Sequence, residues 1–382
     1  RTGGCFTEPK CSNLPFAMLR SKAVFLPLLG FLICVRQCCW SATSGTSGFR
    51  VVPMDGKGFG VVAEKTFNAG DLVYEEAPLI LWNSEDGMKT QLVNVVAAVV
   101  VLISVLLLLA FNAVGLVPLP LLTAGAFVLW RRGELAMPDE LREQYDQLSS
   151  EQQEQLKGLS DCSSGEKTMM GILRTNGFSR GASASSSTLL VCPVLARLNH
   201  SCSPNCQQSW DEESGKEKLY AMTKIQPGQE LCITYCDLRE PREKRREVLR
   251  AKYGFLCSCP ACSVENDVTD VVSTSDARRV EVARLQENLP AADPAEGVEM
   301  AQRVLQLLDE EGISDLTLRG LACTEAVRHC EALAQPGEAR RWAEKAYSFF
   351  SKARGQTSEI ALDAQSYLEK ASLQSTANSE AS

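Results

Sequence analysis

The residues best suited to chemistry in this chain sit in two short stretches far apart in sequence. The first is Asn199-His200-Ser201-Cys202-Ser203-Pro204-Asn205; the second, beyond Tyr235, is Cys257-Ser258-Cys259-Pro260-Ala261-Cys262. Cys257-x-Cys259-x-x-Cys262 has metal-ligand spacing, and one more sulfur drawn from elsewhere would complete a closed four-thiolate zinc site. Cys202 is the preferred fourth ligand, and Cys206, Cys192, Cys232 and Cys236 compete with it. Such a set leaves no open coordination position, so the zinc it implies is structural. With Cys202 as ligand, the metal ties the tail of the domain to the loop bearing Asn199 and His200. Metal affinity is then also folding free energy, and binding helps to assemble that region.

Other chemistries start poorly. The chain has only two histidines, His200 and His329, which excludes a three-histidine catalytic zinc. His200 has no acid or serine at catalytic spacing, so a hydrolase triad would need distant partners, and a satisfied core histidine is an open reading. A formal net charge of -8 gives no basic face for autonomous nucleic-acid binding. At 382 residues, 45% hydrophobic and 23% charged, the chain is globular, with room for one large domain and a smaller one. Its 16 cysteines include a tight cluster rather than a spread framework, which points to metal in a reducing compartment: cytoplasm, nucleus or both.

Two further stretches qualify as site candidates. Asp55-Gly56-Lys57-Gly58-Phe59-Gly60 is rich in glycines, which permit tight turns and close approach of backbone to a ligand. No long helix pattern follows it, as a dinucleotide-binding turn requires, and it lacks the Gly-Lys-Ser/Thr ending of a nucleotide-binding loop. It is a hairpin turn with or without a ligand role. Asn176, in Leu173-Arg-Thr-Asn-Gly-Phe178, would ordinarily be a turn residue.

The elements that must hold these residues are mostly short strands. Phe49-Arg-Val-Val, Phe59-Gly-Val-Val-Ala and Asp71-Leu-Val-Tyr-Glu are separated by Asp-Gly and Ala-Gly turns, and Leu219–Thr223 and Leu231–Tyr235 flank a Gln226-Pro-Gly-Gln turn. Met137–Leu159 and Asp237–Lys252 read as helices inserted among them. From about residue 272 the texture changes. Ala277–Leu289, Pro294–Leu308, Leu316–Ala334 and Glu338–Ala353 carry apolar residues three and four apart, as in Ala343, Ala346, Tyr347 and Phe350, and predict antiparallel helices capping one flank of the strand domain.

No charged residue lies between Lys89 and Arg131. Leu92–Phe111 is long enough to cross a bilayer, at about 20 residues per span, and Val114–Trp130 is a weaker second candidate broken by prolines. Strands on both sides belong to one domain, so only an even number of crossings, a hairpin over 92–130, suits a membrane. A packed apolar hairpin and translated intronic sequence are the other readings.

Taken together, the Asn199–Asn205 motif, the Cys257–Cys262 cluster, Lys57-Gly-Phe-Gly-Val-Val-Ala63 and Ile225-Gln-Pro-Gly-Gln-Glu-Leu-Cys-Ile-Thr-Tyr235 resemble the SET domain of protein lysine methyltransferases, nearest the SET-and-MYND family and the fungal and protist SET proteins lacking the MYND finger. The resemblance covers residues 49–80 and about 134–264, with weaker support over 272–370. The leader cysteines, Cys5, Cys11, Cys34, Cys38 and Cys39, do not match the MYND Cys/His series, and the apolar insert replaces a helical spacer. The resemblance implies a mostly β SET fold: small sheets, pseudoknot-like closure, inserted helices and a post-SET zinc site, followed by an α-helical C-terminal region. The organisation expected is a leader or linker over 1–48 and a SET domain over 49–256, interrupted by the insert at 90–133. A zinc motif over 257–264 and helices over 272–370 follow.

By the same resemblance, Lys57, Gly58, Phe59 and Gly60 would hold S-adenosylmethionine, Asn176 would sit near its amino acid end, and Asn199 and His200 would contact amino acid and adenine. Phe255 would stack near the adenine, Tyr235 would stand beside the transferred methyl, and Tyr253 would line the lysine channel. Cys202, Cys257, Cys259 and Cys262 would hold zinc. The partner implied is a lysine of a histone or another protein, methylated by a monomer. The alternatives are a catalytically weak scaffold binding partners through its helices, and a cytosol-facing membrane protein anchored by the hairpin.

Overall fold

The computed structural model describes residues 48–83, 137–163, 166–180, 188–263 and 269–380. The leader to residue 47, the insert at 90–133 where a membrane hairpin is one expectation, and most of the loop Arg180–Thr188 lie outside the described residues. Among the described residues no helix is long and apolar enough to cross a membrane.

The first strands, β1 (Phe49–Met54) and β2 (Gly58–Ala63), form an antiparallel hairpin paired from Phe49↔Ala63 to Met54↔Gly58. Its turn demands left-handed backbone, supplied by Gly56 at φ 68° and Gly58 at φ 76°. Gly60 serves another need: a Cβ there would fall 2.1 Å from Met54 Sδ and 2.8 Å from Asn199 Nδ2. Next come β3 (Leu72–Glu76) and β4 (Ile80–Asn83).

The helix expected over Met137–Leu159 is two helices, α1 (Asp139–Gln147) and α2 (Ser150–Lys157). Ser149 makes the break, because its Oγ accepts from Gln152 N–H while Gln152 Oε1 accepts from Ser149 N–H, a reciprocal cap that starts a new helix. A further helix, α3 (Met169–Asn176), begins at Thr168, whose hydroxyl accepts from Gly171 N–H. Leu141, Leu156 and Leu173 from these helices, with Leu159 just after α2, bury in one cluster with Ile80 and Trp82 of β4.

The remaining strands are β5 (Phe178–Ser179), β6 (Thr188–Val191), β7 (Asn199–His200), β8 (Cys206–Asp211), β9 (Lys216–Ala221) and β10 (Glu230–Ile233). They complete three small sheets, ordered β1-β2-β10-β7, β3-β9-β8 and β4-β6-β5. Phe49, Val61, Phe67, Leu190, Leu219 and Ile233 fill the space among them. Alternation explains much of the burial: in β9 the inward Glu217 and Leu219 alternate with the less buried Lys216 and Lys218.

The pairing that matters most is between β7 and β10. These strands run parallel, Asn199 opposite Cys232 and His200 opposite Ile233. Parallel neighbours require a long return of chain, and here the return is pinned by a side chain. Asn205 Oδ1 accepts from Cys232 N–H at 2.8 Å, and its Nδ2 donates to the Glu230 carbonyl at 2.9 Å.

After the sheets come α4 (Arg242–Tyr253), ended by left-handed Gly254, then α5 (Thr269–Asn288), α6 (Pro294–Glu310), α7 (Leu316–Ala332), α8 (Pro336–Arg354) and α9 (Glu359–Glu380). Asp293 caps α6 with Pro294 at its first position, where a missing N–H costs nothing. Trp342, Ala343, Ala346 and Phe350 form the buried stripe of α8; Tyr347 only borders it. Helix α8 packs on α7 and α9 and also crosses β8 and β9, so the helices do cap the sheets. Its exit is tight: a Cβ on Gly355 would come within 2.7 Å of Tyr220 Oη.

Asn205→Ala should lower unfolding free energy by about 1–2 kcal/mol, since it leaves a half-buried donor and acceptor of β10 unpaired. Urea denaturation of the full chain checks this. An unchanged midpoint would mean that strand pairing alone holds the return.

Candidate active site

The β7–β10 crossing gathers the candidate residues. Asn199 Nδ2 donates to the Phe59 carbonyl at 3.1 Å and to Glu230 Oε1 at 2.8 Å, so one amide joins β2, β7 and β10. Glu230 also meets Lys57, with Nζ to Oε2 at 2.9 Å. That carboxylate holds the Lys57 ammonium above its ordinary range, and partial burial opposes it. Phe59 stays 42% exposed, and the Arg197 guanidinium lies 4.8 Å from its ring centre, a cation–π contact. Arg197 in turn donates to the Gly158 carbonyl at 2.9 Å.

Tyr235 follows β10 directly. Its hydroxyl donates to the Leu198 carbonyl, and its ring packs 4.7 Å from that of Tyr253 at the end of α4. Burial pushes the Tyr235 phenol well above the usual tyrosine range, with Tyr253 adding to the shift. It is therefore a neutral hydroxyl at physiological pH, unable to act as a base.

A cavity of about 560 Å³, the size of a small-molecule site, has Lys57, Phe59, Asn176, Asn199, Tyr235, Tyr253 and Phe255 on its wall. Asn176 is the last residue of α3 rather than part of a turn, and its Nδ2 donates to the Ser160 and Ile172 carbonyls at 2.7 and 2.6 Å. Gly58 and Gly60 are not on the wall; they let the β1–β2 hairpin turn and approach Asn199.

His200 is not on the wall either. Its side chain is buried on the opposite side of β7, where Nδ1 accepts from Tyr235 N–H at 3.0 Å. A backbone N–H can only donate, so in the neutral ring the proton sits on Nε2, 3.2 Å from Cys202 Sγ. The imidazole thus links the Tyr235 backbone to the Cys202 sulfur.

Around that sulfur, the Sγ atoms of Cys202, Cys257, Cys259 and Cys262 all lie within 4.8 Å of one another. Cys236 falls in a second grouping with His200 and Cys202, and Cys192 and Cys206 are buried elsewhere among the sheets. Cys202 N–H also points at Cys259 Sγ, 3.3 Å away. The donor set fits zinc: a tetrahedral ion about 2.3 Å from each sulfur places sulfurs a little under 4 Å apart, and Cys202 and Cys262 are separated by 3.5 Å. Behind the set stands Arg245, 1% exposed, with Nε 3.3 Å from Cys202 Sγ. Its guanidinium partly offsets the negative charge that four thiolates carry.

Sequence reasoning did not single out Glu230, Arg197 or Arg245, because a charge in a strand or an arginine-rich helix reads as a solvated face. It also passed over Glu217 of β9, which is 2% exposed and on the same cavity wall. Burial pushes the Glu217 carboxyl up to about 8, against the pull of Arg354.

The SET domain family model matches residues 58–236, and these residues are a SET domain. The histone-lysine N-methyltransferase set5 of Schizosaccharomyces pombe is 28% identical over 180 residues, which are 46% of this chain and 54% of that protein. The protein-lysine N-trimethyltransferase SMYD5 of Homo sapiens is 41% identical over 78 residues, 20% of this chain and 19% of that protein. The chain thus spans about half the length of the first relative and about a fifth of the second. A solved structure, the SET domain of LSMT bound to lysine and AdoHcy, covers 88% of this chain and 89% of that one, loosely, at TM-score 0.31 and 13% identity.

Glu217 makes a pH prediction. Its proton is held to about pH 8 in the folded protein but leaves near its ordinary 4.5 on unfolding. Between those values the folded state binds more protons, so its contribution to stability is lost as pH rises. Glu217→Gln should therefore gain on the parent protein by a few kcal/mol from pH 5 to pH 8, at about 1.4 kcal/mol per pH unit. Denaturation at several pH values measures the difference; a constant gap would mean that Glu217 ionises freely.

Proposed function

We propose that this chain is an S-adenosylmethionine-dependent protein-lysine N-methyltransferase acting on a histone or another protein. The observation that carries the reading is the single cavity joining Lys57, Phe59 and Asn199 to Tyr235 and Tyr253 within a SET domain. Lys57, Phe59, Asn176, Asn199 and Phe255 would hold the donor. Bound S-adenosylmethionine supplies an electrophilic sulfonium methyl, to which a lysine Nζ lone pair bonds as the carbon–sulfur pair returns to sulfur.

This chain's residues have to orient, exclude water and favour the neutral amine. A lysine ammonium, with a pKa of about 10.4, has no lone pair until it loses a proton. The Tyr235 phenol stays protonated, so it cannot take that proton. Desolvation between the Tyr235 and Tyr253 rings lowers the affinity of the amine for its proton instead. Tyr235 is anchored twice, through its hydroxyl to Leu198 and its N–H to His200, and a rigid aromatic wall of that kind sets the line of approach.

Cys202, Cys257, Cys259 and Cys262 would hold a structural zinc. Their mutual approach within 4.8 Å and the soft all-sulfur donor set support this.

Tyr235→Phe should lower methyl transfer about 10²-fold or more while leaving S-adenosylmethionine affinity within about threefold. Radiolabelled transfer onto histones and cell extract, beside equilibrium binding of the donor, separates the two effects. Binding of the donor without transfer by the parent protein would favour a scaffold. The purified full chain should also carry one zinc, retained against a chelator by the parent and lost by Cys257→Ser. Metal-free protein with unaltered melting would remove the zinc from the account.

A further inference from the structure

Part of the cavity wall takes no part in the reading above. It comes from β8 and β9 on one side and from the ends of α7 and α8 on the other. Glu217 lies on β9, Gln207 on β8, Asp315 caps the start of α7, and Arg354 ends α8. Glu217 is 2% exposed, and its Oε2 has no hydrogen-bond partner among the described residues. Gln207 donates through Nε2 to Thr317 Oγ1 at 2.6 Å, and its Oε1 is likewise buried and unpartnered among the described residues.

A buried acceptor without a donor costs about 1–3 kcal/mol, and a carboxylate more. Two such acceptors on one wall are expensive unless something arrives to bond them. The charges agree. Glu217 and Asp315 both lie near the Arg354 guanidinium, and no ion pair within 4.0 Å joins Arg354 to either among the described residues; the other charges near Asp315, Arg239 and Asp237, pair with each other at 2.7 Å. The group is therefore short of one positive charge when both acids are ionised. Burial holds the Glu217 carboxyl up, and a cation placed beside it would favour the ionised form. Arg354 Nε is a buried donor without an acceptor, which a carbonyl on the same incoming segment would complete.

We propose that Glu217, Gln207 and Asp315 form a second subsite, distinct from the lysine channel, that takes the guanidinium of an arginine in the protein substrate. A guanidinium suits it better than an ammonium, because its planar fork of donors can bond the Glu217 and Gln207 oxygens together. The inference rests on the methyltransferase reading for the word substrate, but its test does not need turnover.

The experiment is equilibrium binding of fluorescent peptides to the full chain, each with one lysine and one arginine scanned through successive offsets, beside forms in which citrulline replaces arginine. Citrulline keeps the shape and removes the charge. At a preferred offset it should weaken binding about tenfold or more, the loss expected when one partner of a buried charge pair is removed. Glu217→Gln should abolish the difference, and Tyr235→Phe should retain it. Arginine and citrulline peptides indistinguishable at every offset would overturn the subsite, as would an undiminished arginine preference in Glu217→Gln. The citrulline comparison leaves the protein untouched, so it stands however the variant folds. An arginine preference in a protein that never transfers methyl would sink the enzyme and keep the subsite; transfer without the preference would do the reverse.

Discussion

The constraint on which the rest depends is the return of the chain that lays Asn199–His200 beside Cys232–Ile233. Parallel pairing of strands so short supplies few backbone bonds. Side chains at the crossing, and one backbone bond just beyond it, supply the remainder. Asn205 ties into Glu230 and Cys232, Asn199 into Phe59 and Glu230, and Ser201 N–H bonds the Ile233 carbonyl at 3.0 Å. Remove the crossing, and Tyr235 loses its place opposite Tyr253 while the β1–β2 hairpin loses its contact with Asn199.

The sulfur cluster and the cavity lie on either side of this crossing and communicate through it. His200 spans the gap, taking a hydrogen bond from the backbone of Tyr235 and standing against Cys202. A structural metal there would act on the chemistry only through such a contact, by fixing where an aromatic wall stands. Arg245 extends the link outward, since it lies on α4, the helix that also ends in Tyr253. The helical layer closes the other flank, where α8 crosses β8 and β9.

Much of this was legible in the sequence where the signal was local. The spacing of Cys257, Cys259 and Cys262 marks a metal cluster without any knowledge of the fold, and the Asp55–Gly60 glycines mark a hairpin. Apolar periodicity located α6, α7 and α8 nearly to their ends. What stayed hidden depended on orientation or tertiary contact. Nothing linear says which side of β7 an imidazole takes, so His200 reads equally as ligand contact or core. Helix α3 is short, holds Gly171 and ends in Asn-Gly, and its start is set by Thr168, whose N–H is held by Asp161 at 2.8 Å. Glu217, in Lys-Glu-Lys-Leu-Tyr-Ala, has the pattern of a solvated strand face. Burial of a lone carboxylate is visible only once α8 lies across it.

The sulfur set also imposes an order in time. Cys202 precedes its three companions by more than fifty residues, with β8, β9, β10 and α4 synthesised in between. Domains emerge from the ribosome N-terminal part first, so a nascent chain can form its hairpins and the β3-β9-β8 sheet while still owning one sulfur of the four. All four sulfurs can meet only after the last cysteine has left the tunnel. Until then, Tyr235 has a strand to follow but no fixed wall to become.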